Sequence, residues 1–301
     1  MLEHASSASP PTPAPSHAPW RPLGAVAPSA LVDARVALHH AAQVANAAAI
    51  SLLPPQPDDS HTAFAWEAAP DALVAQPVAR GLRFALRVAD LHLLALAEDG
   101  SAAGFALDGR SQADALAWVR SRVSAAGSDG ARVTMRRHYA IEGAAPDAAH
   151  PWRLGDGGAY RELAAWYANA AALLADVTAG EPGAGPVRCW PHHFDLATLI
   201  VEPPDAADGA RRTVGLGLSP GDGSYAEPYW YVGPYPYPRT DALPALRTGR
   251  WHTQGWVGAA LTGSDVVAAG DAAAQERCAR AFVDEAVATV RAVRAAEERT
   301  R

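Results

Sequence analysis

Lysine is absent from this chain: all 25 basic side chains are arginine. A P-loop needs its Lys to reach the phosphates, and a Schiff-base enzyme needs a Lys amine to attack a carbonyl, so both chemistries are excluded. Basic charge is also outnumbered, 25 residues against 32 acidic ones, for a formal net charge of −7. A general nucleic-acid binder displaces counterions with a basic patch, so no nucleic-acid partner is expected. Cysteine is scarce, with only Cys189 and Cys278, in no CxxC spacing. That removes a zinc ribbon and a disulfide framework, and it points to a reducing, cytoplasmic setting. No apolar run approaches the roughly 18–20 residues that span a bilayer, so no membrane partner is expected. Met1 to Trp20 lacks a basic stretch followed by an apolar one, so no secretory signal is expected there either.

What remains is a chain of 301 residues, 49% hydrophobic and 19% charged, which is an ordinary composition for a globular protein with a sizeable core. Residues 1–28 are rich in Pro, Ala and Ser with few large apolar groups. Such a stretch cannot offset its ordering entropy by burial and reads as a disordered arm. Ser29 is placed to cap a helix that runs to about Leu53, stopped by Pro54-Pro55. His39 and His40 on that helix have no acidic or histidine partner one turn away and read as packed residues.

Strand patterns follow at 62–68, 72–77, 81–89, 91–97 and 103–107, with Asp99-Gly100 as a hairpin turn. Ser111 and Asp114 form a capping box for a helix ended by Gly127, and a short strand is expected at 131–137. Residues 138–186 read as a linker plus a helix from about 158 to 179. Strands are then expected at 187–202, 212–219, 227–236 and around 250–262, before a closing helix at 271–297. Strand runs capped by helices mean an α+β fold with mostly antiparallel sheet. The units are an arm (1–28), an N-terminal half (29–137), the linker and helix (138–186) and a C-terminal half (187–301).

Polar and aromatic residues concentrate in 188–256. Alternation along one continuous strand would put His193 and Asp195 on a common face. With His252 later in the chain, they have the make-up of a two-His-one-carboxylate metal site, so a divalent metal is the cofactor these residues suggest. The plainer alternative is a hydrogen-bonded His and Asp that support the strand. Gly215 and Gly217 share a face of the next strand, where bare backbone lets a ring or ligand approach. Glu227, Tyr229, Tyr231 and Tyr235 share a face of the strand after it. Such a row suits a groove for a small molecule and equally suits core packing against the glycines. Trp251, His252 and Trp256 could wall a pocket or pack a loop.

Three readings stay open. One is a small-molecule enzyme with Asp195 or Glu227 as general base and His193 or His252 as proton carrier or metal ligand. A second is a non-catalytic binding module with Tyr229, Tyr231, Trp251 and His252 at the ligand. The third is a structural or interaction protein.

The stretches Trp190 to Leu196, Ser219-Pro220-Gly221-Asp222-Gly223, Glu227-Pro228 and Tyr235-Pro236 resemble the C-terminal half of a bacterial family catalogued as domain of unknown function 5996. Leu38 to Leu53 resembles its opening helix, Gly81 to Ala97 its following strand pair, and Arg110 to Val123 its first long helix. The likeness covers most of residues 30–297 and implies no particular activity. It implies small residues where this chain has His192 and His193, ahead of a shared Phe-Asp-Leu. Asp195 would then be the family's position, with Asp195 and Glu227 as polar anchors of a pocket or of the fold.

Overall fold

The computed structural model describes residues 19–203 and 211–299. Helix α1 (Val32–Leu52) is alanine-rich and buried on nearly every side from Ala34 to Ala49. Small side chains all round a helix let neighbours approach from all directions, which makes α1 a central element. Ser29 does not cap it. Pro28 presets a single 3-10 turn over Pro28–Ala30, Ser29 sits inside that turn, and α1 begins after Leu31.

Strands β1 (Ala65–Glu67), β2 (Ala72–Val74), β3 (Arg83–Arg87), β4 (His92–Leu96) and β5 (Ala102–Ala106) form an antiparallel meander in chain order. Helix α2 (Gln112–Ala125) starts on the expected box, in which Ser111 and Asp114 cap each other's backbone N–H. No strand forms at 131–137, where Gly130–Arg132 is a 3-10 turn. The backbone there pairs with side chains instead: Arg120 donates to the Val133 carbonyl, and Ser51 accepts from the Thr134 N–H. Helix α3 (Gly158–Gly180) buries Leu163, Tyr167, Ala170 and Leu174 as their spacing predicts.

The second sheet holds β6 (Arg188–Trp190), β7 (Asp195–Val201), β8 (Thr213–Ser219), β9 (Tyr229–Tyr235), β10 (Arg250–His252) and β11 (Gly258–Thr262). It is antiparallel, in the order β10-β11-β9-β8-β7-β6. Helices α4 (Gly263–Ala268) and α5 (Ala272–Arg299) close the chain. Helices α3 and α5 lie against one face of this sheet, where Leu196, Ile200, Leu216, Leu218, Trp230, Val232 and Leu261 are buried. The other face carries Leu199, Val201 and Tyr235, which are exposed. The fold is α+β, and the two strand-then-helix halves share one hydrophobic core that includes Leu38, Phe84, Trp166 and Phe282. Phe64 and Cys189 exchange both backbone hydrogen bonds, at 2.9 and 2.8 Å, and so tie the halves together.

Of the expected arm, residues 1–18 lie outside the described residues. Residues 19–28 are strapped across α3 and α5. Gln275 accepts from the Leu23 N–H and donates to the Leu23 carbonyl, Glu162 accepts from the Gly24 N–H, and Asn169 accepts from the Arg21 N–H. Arg21 also pairs with Asp71. The strap holds because buried side chains satisfy its backbone, a compensation that composition cannot reveal. Among the described residues, no helix is long and apolar enough to cross a membrane.

Candidate functional site

The expected strand 187–202 is broken in two. Pro191 to Phe194 form a tight turn between β6 and β7, with Phe194 N–H donating to the Trp190 carbonyl. Phe194 takes a left-handed backbone, φ 58°, at a cost of about 1 kcal/mol for a non-glycine residue. Its buried ring holds it there, stacked on His39 at 5.1 Å and packed on Tyr167. Tyr167 donates its hydroxyl to the Phe194 carbonyl, while His39 and Gln43 both donate to the Pro191 carbonyl. His39 and His40 are therefore packed, as expected, with His40 bonded to the Glu142 carbonyl. The same turn lifts His192 and His193 off the strand, so their faces no longer follow alternation. His193 is exposed beside Asp195.

Asp195 opens β7 on the outer face of the sheet and is 7% exposed. Tyr231 on β9 donates its hydroxyl to Asp195 Oδ2 at 2.5 Å. Asp195 Oδ1 is buried with no hydrogen-bond partner among the described residues. Burial pushes the carboxyl above its ordinary range, against the opposing pull of the Tyr231 hydroxyl and of His193. The Tyr231 phenol is pushed up in turn by burial and the Asp195 charge, which keeps it a donor.

Around this pair runs a groove of about 660 Å³ on the outer face. Its floor is bare because Gly215 on β8 stands directly opposite Gly233 on β9. Neither glycine is needed by the backbone. A methyl group at Gly215 would meet nothing nearer than 3.7 Å, and one at Gly233 nothing nearer than 4.0 Å. Gly217 differs, since a methyl there would come within 2.5 Å of the Leu196 carbonyl oxygen. The first two glycines thus make the trough, and the third permits the strand pairing.

One end of the groove holds Asp195, Asp222, Tyr229, Tyr231 and Trp256. Tyr229 donates to Asp222 Oδ2 at 2.7 Å, and Asp222 Oδ1 accepts from the Ser224 N–H. The Trp256 ring stacks near Tyr229 and meets Tyr231 edge-on. The other end is more open and is walled by Leu199, Tyr235 and Tyr237. The tyrosine row thus walls a groove and packs against neighbouring rings at once.

The remaining expected residues lie elsewhere. Glu227 does not line the groove: its Oε2 accepts from the Ser264 N–H and hydroxyl, both at 2.6 Å, and so caps α4. The regular strand starts only at Tyr229, so alternation does not extend back to Glu227. Trp251 falls on the opposite face of β10, with its indole N–H on the Pro244 carbonyl. His252 stacks behind Trp256 at 4.2 Å, with Nε2 bonded to the Gln254 carbonyl and Nδ1 to the Tyr225 hydroxyl.

The proposed His193–Asp195–His252 metal triad does not assemble. The strand order places β10 four strand spacings from β7, roughly 19 Å at about 4.8 Å each. Among the described residues, no group of three or more His, Cys, Asp or Glu side chains could hold a metal ion. Asp222 belongs to the site although it did not stand out as a site residue in sequence, and Trp256 takes the place at the pocket wall that was one of its two readings. The signal for Asp222 was its Asx-turn loop, Asp222-Gly223-Ser224, which aims a carboxylate back at the following strand. Compared with known proteins, the chain matches no family model, no curated protein and no solved structure.

Proposed function

We propose that the protein binds a small organic molecule in the outer-face groove, with Asp195 as the polar anchor. The observation that carries this reading is that Asp195, a buried residue in the lining of the groove, has a carboxylate oxygen, Oδ1, without a partner among the described residues. A buried acceptor without a donor costs about 1–3 kcal/mol, which a ligand's N–H or O–H would offset. The groove's volume lies within the usual range for small-molecule sites, and its walls combine aromatic rings with a few fixed polar groups. The glycine pair supports the same reading, because it leaves open a space that the backbone would let a side chain fill.

The test is a thermal-shift screen of hydroxyl-, amide- and amine-bearing compounds against the wild type and Gly233→Val. The valine fills the trough from a position free of close neighbours. Compounds should stabilise the wild type and lose that effect in the variant. A screen with no compound sensitive to Gly233→Val would sink the reading.

A catalytic role is favoured by one further observation: burial raises the Asp195 carboxyl above the ordinary carboxylate range, the direction in which sites tune a carboxyl for proton transfer. On this reading Asp195 is the general acid or base, with His193 at the mouth as proton carrier. Compounds that bind should then be consumed by the wild type and survive incubation with Asp195→Asn, as followed by NMR. The cytoplasmic placement belongs to this proposal too and rests on both cysteines being free. If the chain is a member of the family that it resembles, Asp195 is the position the family shares, in keeping with its role as anchor.

A further inference from the structure

Within the groove reading, on which this inference rests, we propose that the ligand is an organic ammonium: a primary or secondary amine, charged at neutral pH, on an apolar or aromatic body. The groove's acidic end presents Asp195 and Asp222, and the described lining holds no arginine to balance them. Asp222 is already occupied by Tyr229 and backbone N–H groups, whereas Asp195 has one carboxylate oxygen left over. The buried guanidinium of Arg294, which donates to the carbonyls of the lining residues Thr213 and Tyr235, is also paired with Glu202.

A buried carboxylate gains most from a donor that also brings positive charge, because the charge-assisted bond is about twice as strong as a neutral one. The surrounding surfaces favour the same partner. The rings of Tyr229, Tyr231 and Trp256 gather at the acidic end, where aromatic π-systems favour a cation, and together with Tyr235 and Tyr237 they offer an apolar path for the rest of the molecule. A phosphate or carboxylate ligand would find like charge at Asp195 and Asp222. A neutral polyol would use the oxygen but not the charge.

The experiment compares 4-phenylbutylammonium with its neutral isostere 4-phenyl-1-butanol by titration calorimetry on the full chain at neutral pH. The ammonium should bind at least about tenfold more tightly. Asp195→Asn keeps an acceptor for Tyr231 and should erase that preference while circular dichroism stays unchanged. Gly233→Val should block both probes. Equal affinities in the wild type, or a preference that survives in Asp195→Asn, would overturn the ammonium assignment. So would an ammonium that fails to bind while neutral compounds bind in a Gly233-sensitive way, and the groove reading would then stand. If no compound of either kind responds to Gly233→Val, both fall together.

Discussion

Asp195 carries a cost that the fold alone does not repay. Its pKa is raised by burial, so the folded state holds the carboxyl proton more tightly than the unfolded chain does. The stability associated with that proton is fully present below the ordinary carboxylate range and is lost as pH rises through the folded pKa. Asp195→Asn, which removes the charge that burial disfavours while keeping an acceptor for Tyr231, should therefore be more stable than the wild type at neutral pH. The difference should close as the pH is lowered towards 4 in urea denaturation, and a variant less stable at neutral pH would contradict it.

His39 has the opposite sign. Burial pushes its imidazole down to about 4, so below its ordinary 6.5 the unfolded chain takes the proton first. Stability is held above that ordinary value and is lost as pH falls through the window from 6.5 to about 4, by roughly 3 kcal/mol at most. His40 and His192 are lowered as well, also chiefly by burial, and add to the loss in the same direction. In His39→Gln, which retains a donor for Pro191, thermal denaturation should be less acid-sensitive across that window.

The strands of the second sheet divide their glycines by purpose. Gly217→Ala must push against the Leu196 carbonyl and the Ala197 Cβ, 2.5 and 2.7 Å away, so a loss of about 1–3 kcal/mol is expected. Gly215→Ala meets only ordinary contacts and should fold with wild-type stability or better, since a strand favours a side chain. Chemical denaturation of the two variants side by side separates a glycine that the sheet needs from one that the groove needs. The α4 helix poses the matching question for Glu227. Glu227→Ala should cost about 1 kcal/mol through the lost cap and leave ligand affinity unchanged. An affinity loss there would return Glu227 to the site.

Across the whole molecule, one core runs through both halves, and the strap at residues 19–28 crosses between α3 and α5. Gln275→Ala removes bonds to both backbone groups of Leu23 and to the Gly270 carbonyl. A loss of about 2–3 kcal/mol is expected, with earlier proteolysis near Leu23 than in the wild type. Cleavage unchanged in rate would mean that the strap does not depend on this clamp.

Much of this architecture is written locally in the chain. The capping box at Ser111, the proline stop after Leu53, the hairpin at Asp99-Gly100 and the apolar stripes of α3 and α5 depend on neighbours within a few residues, so they can be read in sequence. Alternation along β8 and β9 likewise placed Gly215, Tyr229 and Tyr231 on one face. The site depended on more. Whether His193 and Asp195 share a strand was settled by the Phe194 ring, buried against residues of α1 and α3. Whether His252 could reach Asp195 was settled by strand order, since β11 and β9 and β8 stand between them. Whether Glu227 faced a ligand was settled by Ser264, which lies beyond β11. Spacing along a chain determines which way a side chain points within its own element. Only packing between elements determines what it points at, because the distances that matter are set by contacts remote in sequence.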